Sequence, residues 1–297
     1  MPLIVNLSAL HALYPTSTCI QSFEEVCDRY STGYFRQCSS LFQSWTNYAW
    51  LMYQMARHNS KLIQPYRLGQ LSSEEFLEKL VHIFYFLKDS SPKKGEMEHL
   101  NSKSLYSKTF AKMLLENAWN SQIEWDQSKE KYLSMLIEDR AKNTSNRDTA
   151  VASSEREPTR DPIYLIANTN ELHVIQILHL LRKNNPSILF YRNIDVSPKD
   201  DKSPIEIAPG IFLCLSYRYQ MFKTLEENMA TDPIAKTSLL SYLVSKQLSE
   251  VPTSEIRFIS QHQPDLVEAL RIGIDPDNIY PADNYFTAQA EHFKKMH

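Results

Sequence analysis

Residues Ile163 to His173 read I-Y-L-I-A-N-T-N-E-L-H, an apolar run that stops at Asn168, Thr169 and Asn170 before an apolar stretch resumes at Leu172. Amides and a hydroxyl at the end of such a run can satisfy a turn and cap the next helix. At the carboxyl end of a parallel strand they can also hold a ligand, because α/β sheets bind ligands there. Other apolar runs end in similar side chains. Leu3-Ile4-Val5 leads into Asn6 and Ser8, Ile211–Leu215 into Ser216 and then Lys223, and Ile256–Ile259 into Ser260 and Gln261. Such a set suits an anion contact better than covalent chemistry. An Asn amide at position 6 is neither anionic nor a fair leaving group. Mg²⁺ wants hard, charged oxygens, and Asn6, Ser260 and Gln261 supply none. Ala167 has no hydroxyl to offer a phosphate oxygen.

Other chemistry is weaker. Glu96-x-x-His99 has the spacing of di-metal helix sites but occurs once, beside Gly95, and reads as a solvated helix start. The acid pairs Glu24-Glu25 and Glu74-Glu75 are adjacent, and neighbours on a helix do not converge on a substrate. His173 and His179 lie too far apart to share a helix face, and read as a cap and a packing residue. With only five glycines the chain holds no phosphate-cradling glycine loop. Cys19, Cys27, Cys38 and Cys214 match no zinc spacing and read as reduced cytosolic thiols, with a disulfide among the first three as the alternative.

With 42% hydrophobic and 23% charged residues, the 297-residue chain has ample material for a core. Its net charge of −3 gives no electrostatic footprint for nucleic acid. No apolar run approaches the roughly 18–20 residues of a membrane span. The N-terminal M-P-L-I-V-N-L-S-A-L-H-A-L lacks a basic region and is broken by Asn6, Ser8 and His11, so it does not read as a signal peptide. The expected location is cytoplasmic.

The elements that must position the strand ends follow from periodicity. Residues 3–10 read as a short buried strand and 18–138 as helical, with a helix start at Leu71–Glu75 and an aromatic-rich helix at Ser39–His58. Residues 140–160, nearly free of large apolar side chains, read as a flexible loop or linker. Beyond them, strands are expected at 163–167, 188–191, 211–215 and 256–260, a polar loop at 195–209, and helices at 172–183, 234–248, 264–272 and 283–295. Strands alternating with helices imply a parallel α/β sheet. The expected organisation is an α/β core from 1–15 and 161–297, a helical insert at 16–139 and the linker at 140–160.

That layout, with these four strand ends, resembles the haloacid dehalogenase (HAD) superfamily of phosphatases and dehalogenases, whose Rossmann-like parallel sheet carries a helical cap after the first strand. The resemblance implies a site at Asn6, Ser8, Ala167, Asn168, Thr169, Lys223, Ser260 and Gln261. Asn6 stands at the nucleophilic Asp of the family's Asp-x-Asp motif, with Ser8 two residues on. Ala167 replaces the hydroxyl of the Ser-Asn-Thr-like motif, Lys223 keeps the family lysine, and Ser260-Gln261 replaces the paired acids. On that reading the frame is kept and the catalytic groups are lost, and no cofactor or metal is expected. The expected function is non-catalytic regulation of another protein by direct binding, through the cap and the sheet edge. The chain's Asn-, Gln- and Lys-rich style also resembles bacterial type IV secreted effectors. That resemblance implies translocation into a host cell cytosol and neutralisation of a partner effector, a SidI-like translation inhibitor. Two alternatives stand beside it. One is an active HAD-like phosphatase or hydrolase with an atypical site, which predicts magnesium-dependent turnover of an aryl phosphate that changes at Asn6 or Lys223 abolish. The other is a helical interaction scaffold.

Overall fold

The computed structural model describes residues 1–10, 12–13, 57–85, 112–113, 116, 119–120, 123–124, 131–138, 161–197 and 202–296. The expected helix at Ser39–His58, most of the residues at 86–130, the linker at 140–160, and Cys19, Cys27 and Cys38 lie wholly or mainly outside these. The chain divides into two compact units, Met1–Ala12 with Trp125–His297, and Leu13–Glu124.

The first unit is built on a six-stranded sheet. Its strands are β1 (Leu3–Asn6), β2 (Ile163–Ala167), β3 (Ile205–Ala208), β4 (Ile211–Leu215), β5 (Arg257–Ser260) and β6 (Ile279–Pro281), in spatial order β3-β4-β2-β1-β5-β6. All neighbours run parallel except β3 and β4. This is the expected Rossmann-like α/β architecture. Strands β1 and β2 are buried along their whole length, as expected for parallel strands covered on both faces. Their side chains Ile4 and Ile166 join Cys214 and Phe258 in one core with Leu239, Leu240 and Leu243. Burying each such aliphatic side chain is worth about 1.5–3 kcal/mol.

The helices of this unit are α1 (Glu171–Asn184), α2 (Ser216–Tyr219), α3 (Leu225–Thr231), α4 (Leu239–Tyr242, which continues as a wider turn to Gln247), α5 (Gln263–Arg271) and α6 (Ala282–Met296). Residues 132–138 are also helical, and Tyr132 stacks on Phe286 of α6 at 3.7 Å between ring centroids. No described helix is long and apolar enough to cross a membrane.

Two expectations fail around β3. Residues 188–191 form no strand: Leu189 is 83% exposed, and Tyr191 N–H donates a single main-chain bond to the sheet, at Ile207 O. The edge position is taken instead by Ile205–Ala208, inside the stretch expected to be loop. Pro209-Gly210 turns this strand straight into β4. The turn needs a positive φ at its second corner, and Gly210 supplies it at 68°. The helix expected at 234–248 begins only at Leu239, capped by Ser238, and β6 was not foreseen.

In the second unit, helix Ser73–Tyr85 starts where the sequence places it. Ser72 Oγ accepts from Glu75 N–H (3.2 Å), and Glu75 Oε2 accepts from Ser72 N–H (2.9 Å), a reciprocal capping box. Hydrogen bonds from Ser72 hold the Glu75 carboxyl below its ordinary pKa. Inside, Tyr66 stacks on Phe76 at 4.1 Å, and Trp119 tilts against the same ring at 4.8 Å.

Candidate functional site

The order of the parallel strands reverses at β1, so the crevice beyond the carboxyl ends of β1 and β5 is where a ligand is expected in this topology. Asn6 ends β1 and Ser260 ends β5, and both are buried. Asn6 Nδ2 donates to Ser260 Oγ (3.1 Å) and to Asp265 Oδ2, while Asn6 Oδ1 accepts from Ser8 N–H (3.2 Å). Ser260 Oγ donates to Asp265 Oδ2 (2.8 Å) and accepts from His262 N–H (3.1 Å). Lys223 Nζ, buried with them, donates to the same Asp265 oxygen at 2.9 Å. One carboxylate oxygen thus gathers an amide, a hydroxyl and an ammonium. Asp265 Oδ1 has no hydrogen-bond partner among the described residues.

Each member is positioned by a local device. Asp265 lies in the first turn of α5, which Pro264 helps to start, and a carboxylate is favoured at a helix N-terminus. Lys223 is fixed through its backbone: its N–H donates to Asn168 Oδ1 (2.7 Å), and Asn168 Nδ2 donates to Glu227 Oε1 (2.8 Å). Glu227 completes a capping box with Thr224 at the start of α3, so the residue after Lys223 is pinned too. Thr169 and Ser216 lace β2 to β4: Thr169 N–H donates to Ser216 Oγ (3.0 Å), and that hydroxyl donates to Thr169 O (3.1 Å). Asn170 caps α1, accepting from His173 N–H at 3.1 Å.

The set expected from sequence therefore divides. Asn6, Lys223 and Ser260 meet directly. Asn168 acts one step back, on the lysine, and Thr169 joins two strand ends. Ala167 ends β2. Ser8 Oγ is buried with no hydrogen-bond partner among the described residues, and its backbone N–H braces the Asn6 amide. Gln261 is exposed and makes no bond to Asp265.

Asp265 is the residue the sequence reading missed. An acid in the first turn of a helix, next to a Pro, has a sufficient local explanation. What marks it out is its position five residues beyond the end of β5, within reach of the β1 end. The expectation that the strand-end site holds no carboxylate is corrected by it.

The magnesium ion that the alternative of an active HAD-like hydrolase calls for fits these residues poorly. Among the described residues Asp265 is the only carboxylate bonded to Asn6, Ser260 or Lys223, and its Oδ2 already carries the ammonium of Lys223. Asn6 turns its NH₂ toward the cluster and its carbonyl toward Ser8 N–H. Among the described residues no group of three His, Cys, Asp or Glu side chains is placed to hold an ion. Cys214 is no rival nucleophile: burial pushes its thiol up to about 12, and the thiolate is the reactive form.

No family model and no curated protein matches the chain. The chain is similar to solved structures of a HAD family enzyme from Bacteroides thetaiotaomicron. Its magnesium complex is 15% identical, with 94% of this chain and 91% of that chain covered and a TM-score of 0.45. Its complex with magnesium and inorganic phosphate is 17% identical, over 94% and 92% of the two chains, with a TM-score of 0.43. The resemblance to bacterial type IV secreted effectors, and within them to the metaeffector MesI, gains no support from these comparisons.

The expectation of a non-catalytic protein that works by binding and neutralising a partner is corrected here. It assumed strand ends without a carboxylate, where Lys223 alone was kept. The strand ends instead bring a buried carboxylate into contact with a buried ammonium.

Proposed function

We propose that the chain is a hydrolase with an atypical site, acting on a phosphate ester whose anionic group lies beyond the carboxyl ends of β1 and β5. The observation that carries this reading is the Lys223–Asp265 pair, buried between Asn6 and Ser260 at the point where strand order reverses. A buried ion pair contributes little stability compared with apolar residues of the same size. Desolvated charge partners in a cleft are characteristic of functional sites.

Each residue has a role open to it. An ammonium has three donors, and Lys223 Nζ uses one on Asp265. The others are available to a phosphate oxygen and to the charge that grows on it during reaction. Asp265 Oδ1 is an acceptor for the proton of an attacking water. Water oxygen bonds to phosphorus, its proton passes to Asp265, the bond from phosphorus to the ester oxygen breaks, and the leaving oxygen takes a proton from solvent. Asn6 and Ser260 hold the carboxylate by its other oxygen, and Asn6 has no covalent role.

The test is turnover of an aryl phosphate by the purified chain and by Lys223→Met and Asp265→Asn. The expected outcome is turnover that falls by at least about a hundredfold in either variant, the usual scale for loss of an acid–base group. Turnover that is absent, or equal in all three proteins, refutes the reading.

A further inference from the structure

We infer that this site takes its phosphate oxyanion without a divalent cation, the ammonium of Lys223 standing where a metal would otherwise neutralise charge. The inference rests on the hydrolase reading for its substrate class, but not for its test.

Its basis is the direction in which the donors point. Three separate groups aim hydrogens at Asp265 Oδ2: Asn6 Nδ2, Ser260 Oγ at 2.8 Å and Lys223 Nζ at 2.9 Å. A cation at that oxygen would have to displace all three. The orientation of the Asn6 amide is fixed by its neighbours. Reversing it would set its oxygen against the Asp265 carboxylate and its NH₂ against Ser8 N–H. Position 6 therefore presents hydrogens to the crevice, where a metal ligand must present a lone pair.

Charge leads to the same place. Mg²⁺ is held by one or two carboxylates together with substrate oxygens. Here the single carboxylate found among the described residues is already balanced by the lysine that touches it. A divalent ion on Asp265 would sit beside a buried ammonium, with like charges a few ångströms apart in a low-dielectric setting. An oxyanion meets the reverse situation, since Lys223 has further N–H donors and, at 8% exposure, little water to compete for them.

The experiment is equilibrium binding of inorganic phosphate, by calorimetry or ³¹P line broadening, in EDTA and again in excess magnesium. The expected result is one affinity, unchanged within about twofold between the two conditions, and at least about tenfold weaker in Lys223→Met under both. Should that variant fail to fold, Lys223→Met with Asp265→Leu removes both charges and takes its place. Asn6→Asp, which sets a second carboxylate beside Asp265, is expected to gain magnesium binding that the parent chain lacks. The inference is overturned if magnesium strengthens phosphate binding to the parent chain about tenfold or more. It is also overturned if Asp265→Asn abolishes a directly measured magnesium affinity, or if phosphate binds in neither condition. Metal-dependent phosphate binding leaves the hydrolase reading intact, whereas metal-free binding without turnover sinks that reading alone.

Discussion

Helix α5 carries two buried carboxylates one turn apart, Asp265 and Glu268, in different company. Asp265 pairs with Lys223, 42 positions away, and both side chains are nearly sealed from water, at 5% and 10% exposure. Glu268 pairs with Arg271 on its own helix, and that arginine is 44% exposed. Both Glu268 oxygens are taken: Arg271 Nε and NH2 donate to them at 2.8 and 2.6 Å, and Ser238 Oγ adds a bond from the cap of α4. The second cluster is a brace that ties α5 to the cap of α4. The first leaves one carboxylate oxygen and further ammonium donors without partners among the described residues. Full satisfaction marks structure, and partial satisfaction in a buried setting marks a place for something else.

The largest effect should come from breaking the first pair one-sidedly. Lys223→Met leaves Asp265 buried without its counter-charge, and urea unfolding should show a loss of about 3–5 kcal/mol. Lys223→Met with Asp265→Leu should recover most of that stability while turnover stays lost. Recovery of both, or of neither, would erase the distinction between the two clusters. Next comes the brace. Glu268→Ala strips Ser238 and Arg271 of their acceptor and should cost about 1–3 kcal/mol in the same assay. Arg271→Ala, which removes a half-exposed partner, should cost about 1 kcal/mol or less.

The smallest effect concerns pH. Burial raises the pKa of Glu268, but the hydrogen bonds from Arg271 and Ser238 outweigh it and hold the carboxyl below its ordinary value. The folded pKa therefore lies under the unfolded one. The stability this linkage provides is complete above the unfolded carboxylate pKa and is lost as pH falls through the folded value. Melting temperature followed into the acid range should drop less steeply for Glu268→Gln than for the parent chain. An equal slope would show that Glu268 is not held as the geometry implies.

The parallel sheet was legible because β1, β2, β4 and β5 are short, uninterrupted apolar runs that stop at polar residues. Its antiparallel edge was not. Ile205-Glu206-Ile207-Ala208 alternates weakly inside a stretch dominated by Ser, Asp, Lys and Pro, whereas Ile188–Tyr191 has the right composition but packs little of it. Asn6 and Ser260 were found as strand-end residues, since strand ends can be read from local pattern, and Lys223 through the family resemblance, by its spacing beyond β4. Asp265 was not, since its meaning depends on α5 returning its first turn to β1, a contact spanning 259 positions. Asn168 was read either as a turn residue or as part of a ligand site, and its actual contribution, a bond to the Lys223 backbone, appears only once β2 and β4 are side by side.

The sheet's two outer strands bear on crowding. On one side, β3 carries a register shift between Glu206 and Ala208, with Glu206 exposed. On the other, β6 is three residues long and ends in Pro281. A bulge, an outward charge, brevity and a missing N–H each discourage another chain from adding a strand. Strand addition at either border is thus disfavoured, which protects this sheet from templated aggregation at high concentration and removes its edge from the surfaces a second protein could extend.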